Sequence, residues 1–102
     1  MKKLVELCML HLFSEGDLYG YALLQKLYPI FPDIQESALY TILRGLHKEG
    51  CLETYRGEKS GGPPRKYYRM TEKGRERYKE ILTEWKQLNE ELKKIGIFSQ
   101  ER

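Results

Sequence analysis

Five side chains in "DIQESALYTILRGLHKEG", residues 33 to 50, have the spacing to act together. Ser37, Tyr40, Thr41, Arg44 and Lys48 recur at helical intervals and share one face, while Leu39, Ile42, Leu43 and Leu46 form an apolar stripe on the other. The polar face offers hydroxyls, an aromatic ring and two cations, with Glu36 and Glu49 confined to its ends. Hydroxyls and ammonium groups donate to phosphate oxygens, and an arginine fork also matches the major-groove edge of guanine. A second cluster follows in "SGGPPRKYYRMT", residues 60 to 71. There Arg65, Lys66 and Arg69 bracket Tyr67 and Tyr68, directly after two glycines and two prolines that forbid regular structure. Both clusters are suited to holding a polyanion.

Other chemistries find little support. Cys8 and Cys51 lie far apart with no CxxC pair, and read as reduced, buried thiols. His11 and His47 have no carboxylate or cysteine at catalytic spacing, and there is no phosphate loop. No catalytic residue, metal site or cofactor is expected. The charge distribution instead favours an anionic partner. Residues 44 to 79 hold eleven Lys or Arg against five Glu, a net of +6 in a chain whose total is +3.

The elements that must carry these residues are readable in outline. A chain of 102 residues, 40% hydrophobic and 32% charged, suits one folded domain, small enough for a second copy to supply missing burial. "MKKLVELCMLHLF" imitates a signal peptide, but Glu6 and His11 interrupt its apolar run and "SEGD" follows where small residues would be needed. It reads as a buried helix, and the location expected is the cytoplasm. Leu4, Val5, Leu7, Cys8, Met9, Leu10 and Leu12 cover nearly its whole circumference, so another subunit is expected to supply part of the cover.

"DLYGYALLQKLYPIFP" gives a second helix, with Asp17 as N-cap, Tyr21, Leu24, Leu27 and Tyr28 as its stripe, and Pro29 and Pro32 as its stop. Gly20 in its first turn suggests that another backbone passes close by. The third helix starts either from an Asp33/Glu36 capping box or later, from Gln35, and Gly50 ends it. "CLETYR" and "KYYRM" read as two alternating strands. Pairing Leu52 with Met70 and Thr54 with Tyr68 on the core face puts Glu53 opposite Arg69 and Tyr55 opposite Tyr67 outside. Thr71 then caps a helix running to about Ile95, with Gly96 as its stop. Tyr78, Leu82, Trp85, Leu88, Leu92 and Ile95 follow the three-and-four spacing of a coiled-coil seam. With Leu4, Leu7 and Cys8, these are the expected dimer contacts.

The fold class expected is mainly α with a small β-hairpin: a winged helix-turn-helix over residues 1 to 71 and a long C-terminal dimerisation helix with its tail over 72 to 102. "SGGPP" becomes the wing tip, able to reach phosphates while the third helix enters the major groove.

"LYGYALLQKL", "SALYTILRGLHKEGCLE" and "GGPPRKYYRMTEKG" together resemble the PadR family of bacterial transcriptional regulators, in its short form with one C-terminal helix. The resemblance covers roughly residues 4 to 90. It implies a winged-helix homodimer that binds a palindromic operator in double-stranded DNA and usually represses a nearby gene. It assigns Ser37, Tyr40, Thr41 and Arg44 to the recognition face, Lys59, Arg65 and Lys66 to the basic wing, and Tyr19 to the DNA backbone. Gln35 departs from the Ser or Asn that many relatives carry before the recognition helix. Trp85 in "TEWKQLNEEL" matches a tryptophan with which some short PadR-like proteins sandwich flat aromatic drugs across the dimer, which implies multidrug sensing through a small aromatic effector. The main rival reading is a winged-helix protein-interaction module without operator binding; an enzyme is a distant third.

Overall fold

The computed structural model describes residues 1–57 and 62–98. Its first helix, α1 (Lys2–Ser14), buries Val5, Met9, Leu10 and Phe13 and, in the same surroundings, the carboxylate of Glu6. Leu4, Leu7, Cys8 and Leu12 are only half-buried. The segment that is apolar all round thus has one face covered by its own chain and another left partly open.

The chain then departs from the sequence reading. Asp17 does not cap the second helix, because the backbone stays extended for two more residues. Leu18–Tyr19 form a short strand, β1, and α2 spans Gly20–Leu27 with Tyr19 at the N-cap position and no side-chain bond there. Asp17 is engaged elsewhere: its carboxylate accepts a 2.6 Å hydrogen bond from the Tyr55 hydroxyl. Tyr21, expected in the α2 stripe, is 59% exposed, and Leu23 joins Leu24 and Leu27 on the buried face instead. The close approach at Gly20 is made by a ring rather than a backbone, since a Cβ there would lie 3.2 Å from Cε1 of Tyr40.

Helix α3 (Glu36–Lys48) begins at the later of the two expected starts. Gln35 is its N-cap without a side-chain bond, and Asp33 lies outside the helix, so no capping box forms. Leu39, Leu43 and Leu46 are fully buried and Ile42 partly so. At the far end Gly50, with φ of 86°, donates to the His47 carbonyl (3.0 Å) and Cys51 donates to that of Leu46 (2.9 Å). This is a Schellman closure, whose left-handed residue is usually glycine because it carries no Cβ.

Strands β2 (Leu52–Gly57) and β3 (Arg65–Met70) pair antiparallel in the expected register, Leu52↔Met70, Glu53↔Arg69, Thr54↔Tyr68 and Tyr55↔Tyr67. The ladder continues to Arg56↔Lys66 and Gly57↔Arg65. The hairpin is not alone. Leu18 and Tyr19 pair with Tyr68 and Tyr67, giving a three-stranded sheet of order β1-β3-β2. Helices α1 to α3 and the inner face of the sheet, through Leu52, Tyr68 and Met70, enclose one core. Burying each of its leucines contributes roughly 1.5–3 kcal/mol.

Helix α4 (Glu72–Lys94) starts as expected: the Thr71 hydroxyl accepts from the Gly74 N–H at 3.0 Å. It ends in a second Schellman closure at Gly96, with φ of 97°. Its first half belongs to the same core, with Ile81 buried and Tyr78 and Trp85 packed at the edge. Farther along, Leu88 and Ile95 are 40% and 78% exposed. The helix is long relative to the body it leaves, and the described residues extend 54 Å by 28 Å by 23 Å. Among the described residues no helix is long and apolar enough to cross a membrane.

Candidate nucleic-acid interface

One end of the sheet, the start of α2 and the outer face of α3 meet around an open cavity of about 380 Å³. Its wall is formed by Tyr19, Tyr21, Tyr40, Arg44, Arg65, Lys66 and Tyr68, with Gly20 at the base. Each arrives from a different constraint. The α3 stripe of Leu39, Leu43 and Leu46 anchors one face of that helix in the core, which turns Tyr40 and Arg44 outward. Pairing of β1 with β3 brings Tyr19 beside the hairpin, where it meets Tyr67 edge-on at 5.5 Å between centroids.

The cations are held by ring faces. The Arg65 guanidinium lies 4.1 Å from the Tyr19 ring centroid, that of Arg44 5.9 Å from Tyr40, and the Lys66 ammonium 5.5 Å from Tyr68. A ring quadrupole orients a cation without neutralising it. Among the described residues, no carboxylate comes within 4.0 Å of Arg44, Lys48, Arg65 or Lys66, whereas Arg69 is paired with Glu53 at 2.9 Å. The Glu53 hydrogen bond also raises the pKa of Arg69 above the ordinary guanidinium value. The hairpin therefore carries two kinds of arginine, one left with a whole charge for a partner and one already satisfied.

On the outer face of the sheet, Tyr55 stacks on Tyr67 at 5.6 Å with an interplanar angle of 16°. Its hydrogen bond to Asp17, helped by partial desolvation, raises the phenol pKa above 10. This bond ties the entry to β1 against the middle of β2.

Most of the residues singled out in the sequence thus converge, and some do not. Tyr19, Tyr40, Arg44, Arg65 and Lys66 share the cavity wall. Ser37 and Thr41 are exposed in the first turns of α3, but the Thr41 hydroxyl donates to the Ser37 carbonyl at 2.9 Å, so its proton is committed within the helix. Lys48 is exposed at the C-terminal end of α3, away from the cavity wall. Lys59 and the first part of "SGGPP" lie outside the described residues.

Two residues were missed. Tyr21 lines the same wall, its position obscured in the sequence by its helical spacing from Leu24. Arg56 is exposed directly opposite Lys66 across the hairpin and so shares its side of the sheet. The alternation from Leu52 through Thr54 could have located it.

The remaining candidate positions lie outside that cavity. Leu7, Cys8, Tyr78 and Leu82 line an apolar groove of about 280 Å³ between α1 and α4, together with His11, Leu12 and Ile30. Within it the His11 Nδ1 and the Tyr78 hydroxyl are 2.8 Å apart. Trp85 and Leu88, with Lys3 and Glu84, border a smaller hollow of about 180 Å³. Leu4 and Leu92 are half-buried and Ile95 is exposed. Both cysteines are free thiols, and burial raises the pKa of each. Among the described residues no group of His, Cys, Asp and Glu could hold a metal ion.

The sequence model of the PadR-like transcriptional regulator family matches residues 9–80, from α1 through the cavity-forming elements and into α4. The chain belongs to that family. Structures of similar proteins agree with it. A PadR-like transcriptional regulator from Bacillus cereus is 33% identical, with a TM-score of 0.79 over 88% of each chain. A Streptococcus transcriptional regulator is 28% identical, with a TM-score of 0.84 over 92% of this chain and 93% of its own. A protein of Lysinibacillus sphaericus is 35% identical over 85 residues, 80% of this chain and 78% of its own length. The winged-helix architecture is thus common to this chain and the two solved structures, and family membership implies DNA-binding regulation.

Proposed function

We propose that the protein is a homodimeric, sequence-specific operator-binding repressor. Residues 1 to 71 act as the winged-helix reader and 72 to 102 as the dimerisation arm. Helix α3 enters the major groove with Ser37, Tyr40, Thr41 and Arg44 toward base edges, and Lys48 meets the backbone. Lys59, Arg65, Lys66 and Tyr19 take phosphates. The observation that carries this reading is the convergence of Arg44, Arg65 and Lys66 on one cavity with no carboxylate of the described residues within ion-pair distance. An uncompensated cationic concavity beside a protruding helix face suits a nucleic-acid backbone better than a neutral protein surface.

The dimer is supported by the partly open apolar faces of α1 and α4, along Leu4, Leu7, Cys8, Tyr78, Leu82, Trp85, Leu88, Leu92 and Ile95. Leu88 and Ile95 are costly to leave in water. A small flat aromatic effector stacking on Trp85 completes the proposal. Such a ligand alters operator affinity only to the extent that it binds two arrangements of the dimer unequally.

Selection of bound duplexes from a random-sequence pool, with Arg44→Ala as control, tests the reading. A two-fold symmetric motif that the substitution weakens or blurs is expected; no enrichment from the pool would overturn it. For the effector, a flat aromatic cation should quench Trp85 fluorescence and shift operator affinity. Quenching with affinity unchanged removes the regulatory part.

A further inference from the structure

The C-terminus of the recognition helix and the N-terminus of α4 are fastened together at one place. A single hydroxyl, that of Thr71, accepts from the Gly74 N–H at 3.0 Å and donates to the Gly50 carbonyl at 2.6 Å. It caps one helix with its lone pair and satisfies the closing turn of the other with its proton. The Thr71 N–H also donates to the Cys51 carbonyl at 3.1 Å. One turn along α4, Gly74 lies so close to that carbonyl that any Cβ would overlap it. A further turn on, Arg77 reaches both Glu49, the C-cap residue of α3, at 3.3 Å and the buried Glu6 of α1 at 3.4 Å. Burial alone would lower the Arg77 pKa, but the two carboxylates outweigh it and the guanidinium is held above its ordinary value.

Backbone, hydroxyl and ion pair thus join α3 to α4 over two successive turns, leaving little freedom for either helix to pivot against the other. We propose that Thr71, supported by the Arg77–Glu49 pair, is a positioning residue that sets the distance between the two recognition helices, and hence the half-site spacing the protein accepts. The inference rests on the dimeric operator reading above: if α4 fixes the relation between protomers, a rigid junction transmits that relation to α3. Neither side chain needs to touch DNA.

The substitution that isolates the junction is Thr71→Asp. Aspartate caps a helix as well as threonine does, so the bond from Gly74 is retained. It cannot donate to the Gly50 carbonyl, and its charge faces the negative end of the α3 dipole. Thr71→Ser keeps both bonds and is the rescue control.

Each folded protein is measured against the selected operator at native spacing and with one base pair inserted or deleted between half-sites. Wild type and Thr71→Ser should reject the altered spacings. Thr71→Asp should lose discrimination by roughly tenfold, with affinity for the native spacing much less affected. If Thr71→Asp does not fold, Glu49→Gln removes the charge of the outer arm only, leaves Glu6 its arginine, and is expected to relax discrimination in the same direction.

A folded variant that discriminates as sharply as wild type overturns the junction proposal and leaves the operator reading intact. A wild type indifferent to spacing overturns the dimeric reading, and this inference with it.

Discussion

The slope of operator affinity against salt distinguishes the free from the paired cations of the hairpin. Each phosphate neutralised by a cation contributes about 0.9 to the slope of log affinity against log salt. Lys66 has no ion-pair partner among the described residues, and a homodimer presents it twice. Lys66→Ala should therefore make the slope shallower by about 1.8. Between roughly 50 and 200 mM salt, the variant would then lose about twelvefold less affinity than wild type does. Arg69→Ala removes the same formal charge from the same strand, yet its guanidinium is already bound to Glu53 at 2.9 Å. It should leave the slope within error of wild type. Arg44→Ala should cost about 1–3 kcal/mol per half-site and blur one position of the motif, because its contact is assigned to a base. Anisotropy of a labelled duplex, titrated at four or five salt concentrations, measures all three variants. Equal slope changes for Lys66→Ala and Arg69→Ala would refute the argument, since the slope would then report net charge rather than the geometry of free and paired cations.

Other consequences can be checked without the operator. Leu88→Glu combined with Leu92→Glu should yield monomers in sedimentation equilibrium; a persistent dimer would locate the interface elsewhere. Arg77→Met strands the Glu6 carboxylate, which is 5% exposed, and should cost about 3–5 kcal/mol in chemical denaturation. Adding Glu6→Gln to it should recover a large part of that loss. The Tyr55 phenol, held above pKa 10 by its bond to Asp17, contributes stability that is fully present below about pH 10. That contribution disappears as pH rises through the folded-state value, where deprotonation sets phenolate against carboxylate. Tyr55→Phe should accordingly show a flatter stability profile in alkaline unfolding than wild type.

Much of this protein is determined by local rules that the sequence displays directly. The Leu39, Leu43 and Leu46 stripe orients α3 because the periodicity of a helix leaves it no other way to bury them. The hairpin register follows from alternation, since a slip of one residue would turn Tyr68 and Met70 to water. Gly50 and Gly96 end helices because only glycine closes a Schellman turn at little cost. The basic wing strand and the family motifs are visible for the same reason, each being contained within a short run of chain.

What the tertiary structure alone decided are relations between distant segments. The two residues of β1 are too short to signal a strand, and they exist as one only because β3 offers an edge to pair with. That pairing delays α2 past Asp17 and sets Tyr19 beneath Arg65. Glu6 interrupts an apolar run in the sequence and looks like an exposed residue, yet Arg77, 71 positions away, makes its burial tolerable. The separation of free from paired cations around the cavity likewise depends on which carboxylate each one meets. Charge composition cannot contain that information, because ion pairing at 3 Å is decided by packing and not by count.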